Sequence, residues 1–142
     1  MTEQEIADKI MLAYPGLDKL RKATDQYCPY DYENDNYLFE FKSRRIFYNP
    51  WIIEFKKLDT NHKIADTLGK DFLYVTEALG IIYVWNISKL IREGYDFEFD
   101  MIDAPRSTEL DGKKNGEMIL KQVGYLYISA STQINFQGER YE

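Results

Sequence analysis

This 142-residue chain has a single histidine, His62, and a single cysteine, Cys28. That excludes a Cys/His zinc cluster and an internal disulfide. A histidine-based nucleophile triad would have to run through His62 alone. Apolar runs of about 18 residues are missing, so no transmembrane helix is expected. The opening segment MTEQEIADKIMLAYPG carries acids where a secretory signal begins basic. The expectation is a soluble, cytoplasmic protein with no membrane association. No P-loop, Rossmann glycine pattern or nucleophile elbow occurs. Internal repeats and Pro/Gly/Ser linkers are missing too, and residues 1–142 read as one domain.

Positive charge is also scarce. Lys and Arg number 18 against 24 Asp and Glu, a net charge of −6. A protein that coats nucleic acid nonspecifically needs concentrated cations, so the total argues against one. The distribution tells more. The segment KSRRIFYNPWIIEFKK (42–57) holds Lys42, Arg44, Arg45, Lys56 and Lys57 against Glu54, a local charge of +4 that leaves −10 for the remainder. What the chain has in quantity is core material. Hydrophobic residues make up 44% and aromatics 15%, which argues against extensive disorder.

Thr2 as N-cap and Pro15-Gly16 as stop predict a helix to about Tyr14. Ile6, Ala7, Ile10, Met11, Ala13 and Tyr14 form one stripe at helical spacing. Glu3 falls in the middle of that stripe, whereas Glu5 points away. Leu17–Gln26 is ambiguous and has room for a short strand. Tyr27–Tyr32, a turn at Glu33–Asn36 and Tyr37–Ser43 read as a β-hairpin, with Pro29 at an edge or strand start. Trp51–Leu58 is mixed, and Asp59–Leu68 reads as a helix stopped by Gly69. Phe72–Thr76 and Gly80–Trp85 read as strands, the second covered on both faces. A short helix runs from Asn86-Ile87-Ser88 to Glu93. Asp96–Ile102 alternates Phe97, Phe99 and Met101 with acids, which predicts a one-sided, solvated strand. A loop at Asp111–Gly116 and a strand from Met118 to Ile128 follow. This order of elements implies an α/β domain with a mixed sheet and flanking helices.

The chemistry-bearing stretch is DYENDNYLFEFK (31–42). With Asn34-Asp35 as a two-residue turn, Tyr32 faces Tyr37, Asp31 faces Leu38 and Pro29 faces Glu40. Asp31, Glu40 and Lys42 then project from one face, Asp31 diagonal to Glu40, while Phe39 and Phe41 pack on the other. Two carboxylates so placed can share a divalent cation, and Mg²⁺ prefers hard oxygen ligands while keeping several waters. A lysine two residues along can position an attacking water or neutralise developing phosphate charge. A solvated hairpin face with a cross-strand ion pair fits the same residues. The acid-x-Lys tripeptide is itself uninformative, recurring at Glu54-Phe-Lys56 and Asp111-Gly-Lys113 in a chain with 24 acids. The strand setting of Glu40, with Asp31 upstream and Glu3 on a preceding helix, is what distinguishes it.

A helix with Glu3, then Asp31, then Glu40-Phe41-Lys42 resembles the PD-(D/E)xK nuclease superfamily, whose proline-aspartate stands here as Pro29-Tyr30-Asp31. Residues 51–90, with an Ile-Glu-basic segment, a helix, two strands and a Trp-Asn-Ile-Ser step, resemble small phage-encoded members. So does Ala104–Glu109 with Lys121 later. The similarity spans roughly residues 3–128, and its weight lies in the order of the motifs. It implies a restriction-endonuclease-like fold, an α/β mixed sheet flanked by helices, acting on DNA in a host-cell cytoplasm. Asp31 and Glu40 would bind Mg²⁺ or Mn²⁺, Lys42 would orient the nucleophilic water, and Glu3, with Glu5 as its substitute, would complete the site.

Arg44 and Arg45 are candidates for phosphate contacts, equally readable as an exposed strand end. Lys56 and Lys57 could extend the basic strip, although a solvated face suits their pattern. His62 reads as a surface residue, Cys28 as a small buried one, and Trp51 and Trp85 as core residues. The acidic bulk implies weak, salt-sensitive DNA binding, and a groove completed by a second copy or by a phage or host protein. A catalytically inactive accessory or counter-defence protein of the same fold is the alternative. A concave cationic cleft at Glu40 would favour the enzyme.

Overall fold

The computed structural model describes residues 1–25, 27–108, 114–135 and 137–141. Three helices, α1 (Glu3–Ala13), α2 (Phe55–Leu68) and α3 (Ile87–Arg92), accompany ten strands: β1 (Arg21–Lys22), β2 (Tyr32–Glu33), β3 (Tyr37–Arg44), β4 (Trp51–Glu54), β5 (Asp71–Ala78), β6 (Ile81–Asn86), β7 (Asp100–Thr108), β8 (Lys114–Leu126), β9 (Thr132–Ile134) and β10 (Arg140–Tyr141). The fold is mixed α/β. A seven-stranded sheet has the order β1-β2-β3-β5-β6-β9-β10, and a separate three-stranded sheet the order β4-β8-β7. Among the described residues only β3 and β5 pair in parallel, the crossover between them containing α2. No described helix is long and apolar enough to cross a membrane.

Side-chain alternation along β3 divides the core in two. Phe39 and Phe41 join Val75 and Ile82 beneath the apolar stripe of α1, Ile6, Ala7 and Ile10. Leu38, Phe72, Tyr74 and Trp85 face the opposite way, toward Leu58 and Ala65 of α2 and Trp51 and Ile53 of β4. The expected cap is formed: Thr2 Oγ1 accepts from the Glu5 N–H at 3.2 Å. Gly69, at φ 68°, ends α2 as expected. All of Ile82–Trp85 in β6 is buried.

Several expectations are corrected. Trp51–Leu58 divides into β4 and the first turn of α2, which starts at Phe55 rather than Asp59. Residues 96–99 form no strand. The chain bends at Glu98, φ 51°, so that Phe97 is buried over Gly124 while Phe99 and Met101 remain exposed. The kink at Glu98 overrides alternation there. The outer strand β7 begins at Asp100 and β8 ends at Leu126, two residues early. Pro29 lies outside the strands, and Cys28 is half-buried. Asp111-Gly-Lys113 and Glu109 lie outside the described residues.

Glu77, 4% exposed, ties the ends of β3 and β5. It accepts from Ser43 Oγ at 2.6 Å, from the Gly80 N–H at 3.1 Å and from the Met1 amine at 3.1 Å. Burial pushes its carboxyl up, but these donors outweigh it and leave the group below the usual glutamate value. A depressed folded-state value contributes stability above the unfolded value that is lost as pH falls through the folded one. Glu77→Gln should therefore unfold at a lower temperature at neutral pH and lose less on acidification than wild type. Thermal melts from neutral to acid pH test this; parallel curves for the two proteins would refute it.

Candidate functional site

Asn34 sets the hairpin that carries the acids. Its side-chain oxygen accepts from the N–H groups of Asn36 (2.9 Å) and Tyr37 (2.8 Å), and the Asn34 N–H donates to the Tyr37 carbonyl at 3.0 Å. The two-residue turn is thus Asp35-Asn36, one residue later than expected, because the Asx-type turn at Asn34 closes first. Tyr32 pairs with Phe39 and Glu33 with Leu38. The pairing is displaced by two residues from the expected register, so every side chain keeps its face. Asp31 lies one residue before the paired residues, and its charge reaches Glu40.

Asp31 marks where the β2 ladder gives out. Its N–H donates to the Phe39 carbonyl at 2.8 Å, and its Oδ2 accepts from the Phe41 N–H at 2.7 Å, in place of a backbone carbonyl. Burial raises its pKa, while the Phe41 hydrogen bond and then Lys42 and Lys57 pull it down. Glu3, half-buried at the start of α1, lies against Asp31. Burial first, then the Asp31 charge, pushes the Glu3 carboxyl up. Glu5 is exposed, so the helix brings Glu3 to the hairpin.

Glu40 is 2% exposed. Its Oε1 lies 3.4 Å from Lys42 Nζ and 3.6 Å from Lys57 Nζ, and its Oε2 accepts from Asn61 Nδ2 at 3.5 Å. Burial drives its pKa upward against both ammonium groups, with Asp31 adding to the rise. Glu3, Asp31 and Glu40 therefore form a line of partly desolvated acids, each resisting ionisation. Lys57 and Asn61 stand four residues apart, on one face of α2. Asn61 also donates to the Pro29 carbonyl at 3.1 Å, clamping the hairpin to the helix. A polar residue within the buried stripe Leu58, Asn61, Ala65 was the legible sign of this contact.

Between the two sheets lies a cleft of about 470 Å³ with Glu40 in its wall. Lys42, Arg44 and Lys57 line it from the large sheet and α2, and Arg106 and Lys121 from the small sheet. Arg45 and Lys56 do not line it. Arg45 follows the end of β3 and is exposed, and Lys56, one helical step from Lys57, borders a neighbouring hollow with Glu54 and Arg106. Lys121 Nζ bonds Glu54 Oε1 at 3.0 Å and the Arg106 carbonyl at 3.0 Å, so Glu54 serves a basic partner brought from β8. As cations of the cleft, Arg106 and Lys121 escape sequence reasoning because they lie roughly 60 to 80 residues from the β3 cations and meet them only through the packing of the sheets. His62 is half-buried on α2 and faces the charge of Asp71.

Among the described residues no three carboxylate, histidine or cysteine side chains converge closely enough to form a metal centre unaided. The donors present do suit a hard cation. Asp31 and Glu40 are neighbouring carboxylates, each desolvated, and a divalent charge would relieve that desolvation; Mg²⁺ commonly takes one or two carboxylates and completes its shell with water and phosphate. Asn61 Oδ1 and Thr76 Oγ1, both buried, have no hydrogen-bond partner among the described residues. No protein-family model and no curated protein matches the chain.

Proposed function

We propose that this protein is a small nuclease of the restriction-endonuclease-like, PD-(D/E)xK class that hydrolyses DNA phosphodiesters with Mg²⁺ or Mn²⁺. One observation carries the reading: a buried glutamate, Glu40, lies between Lys42 and Lys57 in the wall of a cleft lined by five cations. In an acidic chain, cations gathered around a buried acid make a local site for an anion. The mixed sheet flanked by helices and the approach of Glu3 to Asp31 add support.

Asp31 and Glu40 would hold the metal, which when bound supplies charge stabilisation to the phosphoryl oxygens and acidifies a coordinated water. Lys42 and Lys57 favour the ionised form of Glu40 against the burial that raises its pKa, and Lys42 would orient the attacking water. Arg44, Arg106 and Lys121 bind the phosphates flanking the scissile bond. Glu3, beside Asp31, is a positioning residue. Few phosphate contacts on an acidic body make binding weak and steeply salt-dependent.

The test is cleavage of supercoiled plasmid and of single-stranded DNA at low salt with Mg²⁺ or Mn²⁺, beside Glu40→Ala purified identically. Metal-dependent cleavage that disappears in the variant is the expected result. If wild type gives no more cleavage than the variant, and calorimetry detects no Mn²⁺ binding, the enzyme reading is refuted. The accessory protein of the same fold then becomes the better account.

A further inference from the structure

We infer that the cleft takes an unpaired nucleic-acid strand, bases against the Tyr48–Ile52 lip and phosphates on its cations. This rests on the nuclease reading and names its substrate class. The cleft is chemically mixed. Lys42, Lys57 and Lys121 supply charge, while Tyr48, Trp51 and Ile52 supply apolar and aromatic surface. A duplex offers a cleft of this kind only its phosphates, because its base faces are stacked inside. A single strand offers both surfaces, and stacking of bases on aromatic rings is how sequence-tolerant strand binders gain affinity.

The lip is exposed and braced. Ile46, Phe47 and Tyr48, three consecutive apolar residues following Arg45, are 57%, 45% and 42% exposed. Exposed apolar surface beside a polar cleft marks an interaction site. The Tyr48 ring meets Trp51 edge-on at 5.2 Å, and Phe47 and Trp51 each lie 5.9 Å from Tyr83. Asn49 Oδ1 accepts from the Ile128 N–H at 3.3 Å. A platform fixed in this way loses little conformational freedom on binding.

Trp51 lines the cleft, is 4% exposed, and its indole N–H has no acceptor among the described residues. Trp85, the other tryptophan, donates to the Tyr127 carbonyl at 2.9 Å. A buried indole donor left unpaired costs stability.

The experiment is fluorescence anisotropy in EDTA with a labelled oligothymidylate and a labelled hairpin duplex of equal length. Wild type, Tyr48→Ala and Tyr48→Phe are compared, with cleavage of both DNAs measured in Mn²⁺. The single strand should bind at least about ten-fold more tightly than the duplex. Tyr48→Ala should lose about ten-fold in single-strand affinity without weakening the duplex, and Tyr48→Phe should restore it. Tyr48 is exposed, so Tyr48→Ala is expected to fold, and circular dichroism checks this. Equal affinity for both DNAs, or an unaffected Tyr48→Ala, overturns the inference; Glu40-dependent cleavage of duplex would then leave the nuclease reading standing. Neither binding nor cleavage of either DNA overturns both.

Discussion

Glu40→Gln should lower metal-dependent cleavage by about a thousand-fold, comparable to losing a key electrostatic group from an active site, and leave the protein at least as stable as wild type. The two halves of that result have one cause. Glu40 is nearly sealed from water, with burial raising its pKa against the pull of two lysines. A neutral isostere removes the desolvated charge and can keep the contact with Asn61. Removing one member of a buried ion pair usually destabilises because the other charge is stranded. Here the side chains of Lys42 and Lys57 retain 25% and 42% exposure, so both can turn toward water. Function and stability thus pull in opposite directions at this position. Single-turnover cleavage and thermal unfolding measure the two halves. Loss of cleavage accompanied by a large drop in stability would mean that Glu40 is a structural residue.

Asn34→Ala should cost about 3 kcal/mol, the sum of three hydrogen bonds worth about 1 kcal/mol each. Asn34 is fully buried, accepts from the Asn36 and Tyr37 N–H groups, and donates to the Asp18 carbonyl at 3.1 Å. Alanine leaves those groups without their partner and releases the turn that pairs β2 with β3. Asn34→Asp keeps both acceptor contacts and loses the donor, so it should cost less. Denaturant unfolding of the two variants gives the comparison. An Asn34→Ala protein within about 0.5 kcal/mol of wild type, the range of an ordinary surface substitution, would show that the hairpin is fixed elsewhere.

The acids were legible in the sequence because a β-strand has a period of two. Even a pairing misjudged by two residues leaves Asp31, Glu40 and Lys42 on one face and Phe39 and Phe41 on the other. Glu3 was legible because an acid interrupts an apolar helical stripe, and the capping Thr2 and terminating Gly69 because caps are local chemistry. Long-range packing was not legible. Nothing near Trp51 in the sequence indicates that β4 leaves the large sheet to pair with β8, bringing Lys121 to Glu54. Local alternation misled at 96–99, where the kink at Glu98 tucks Phe97 over Gly124. The C-terminal strands β9 and β10 carry too few residues to display a period.

That the cleft lies between two sheets sharing no hydrogen-bond ladder divides the labour of the site. Glu40 and Lys42 belong to one ladder, while Lys121, and Arg106 at the irregularity of β7, belong to the other. The wall on β7 and β8 can therefore be rewritten, in charge, length or shape, without disturbing the register that places Glu40 and Lys42. Such an arrangement is modular: one half holds the buried acid while the other is free to change what is presented to it.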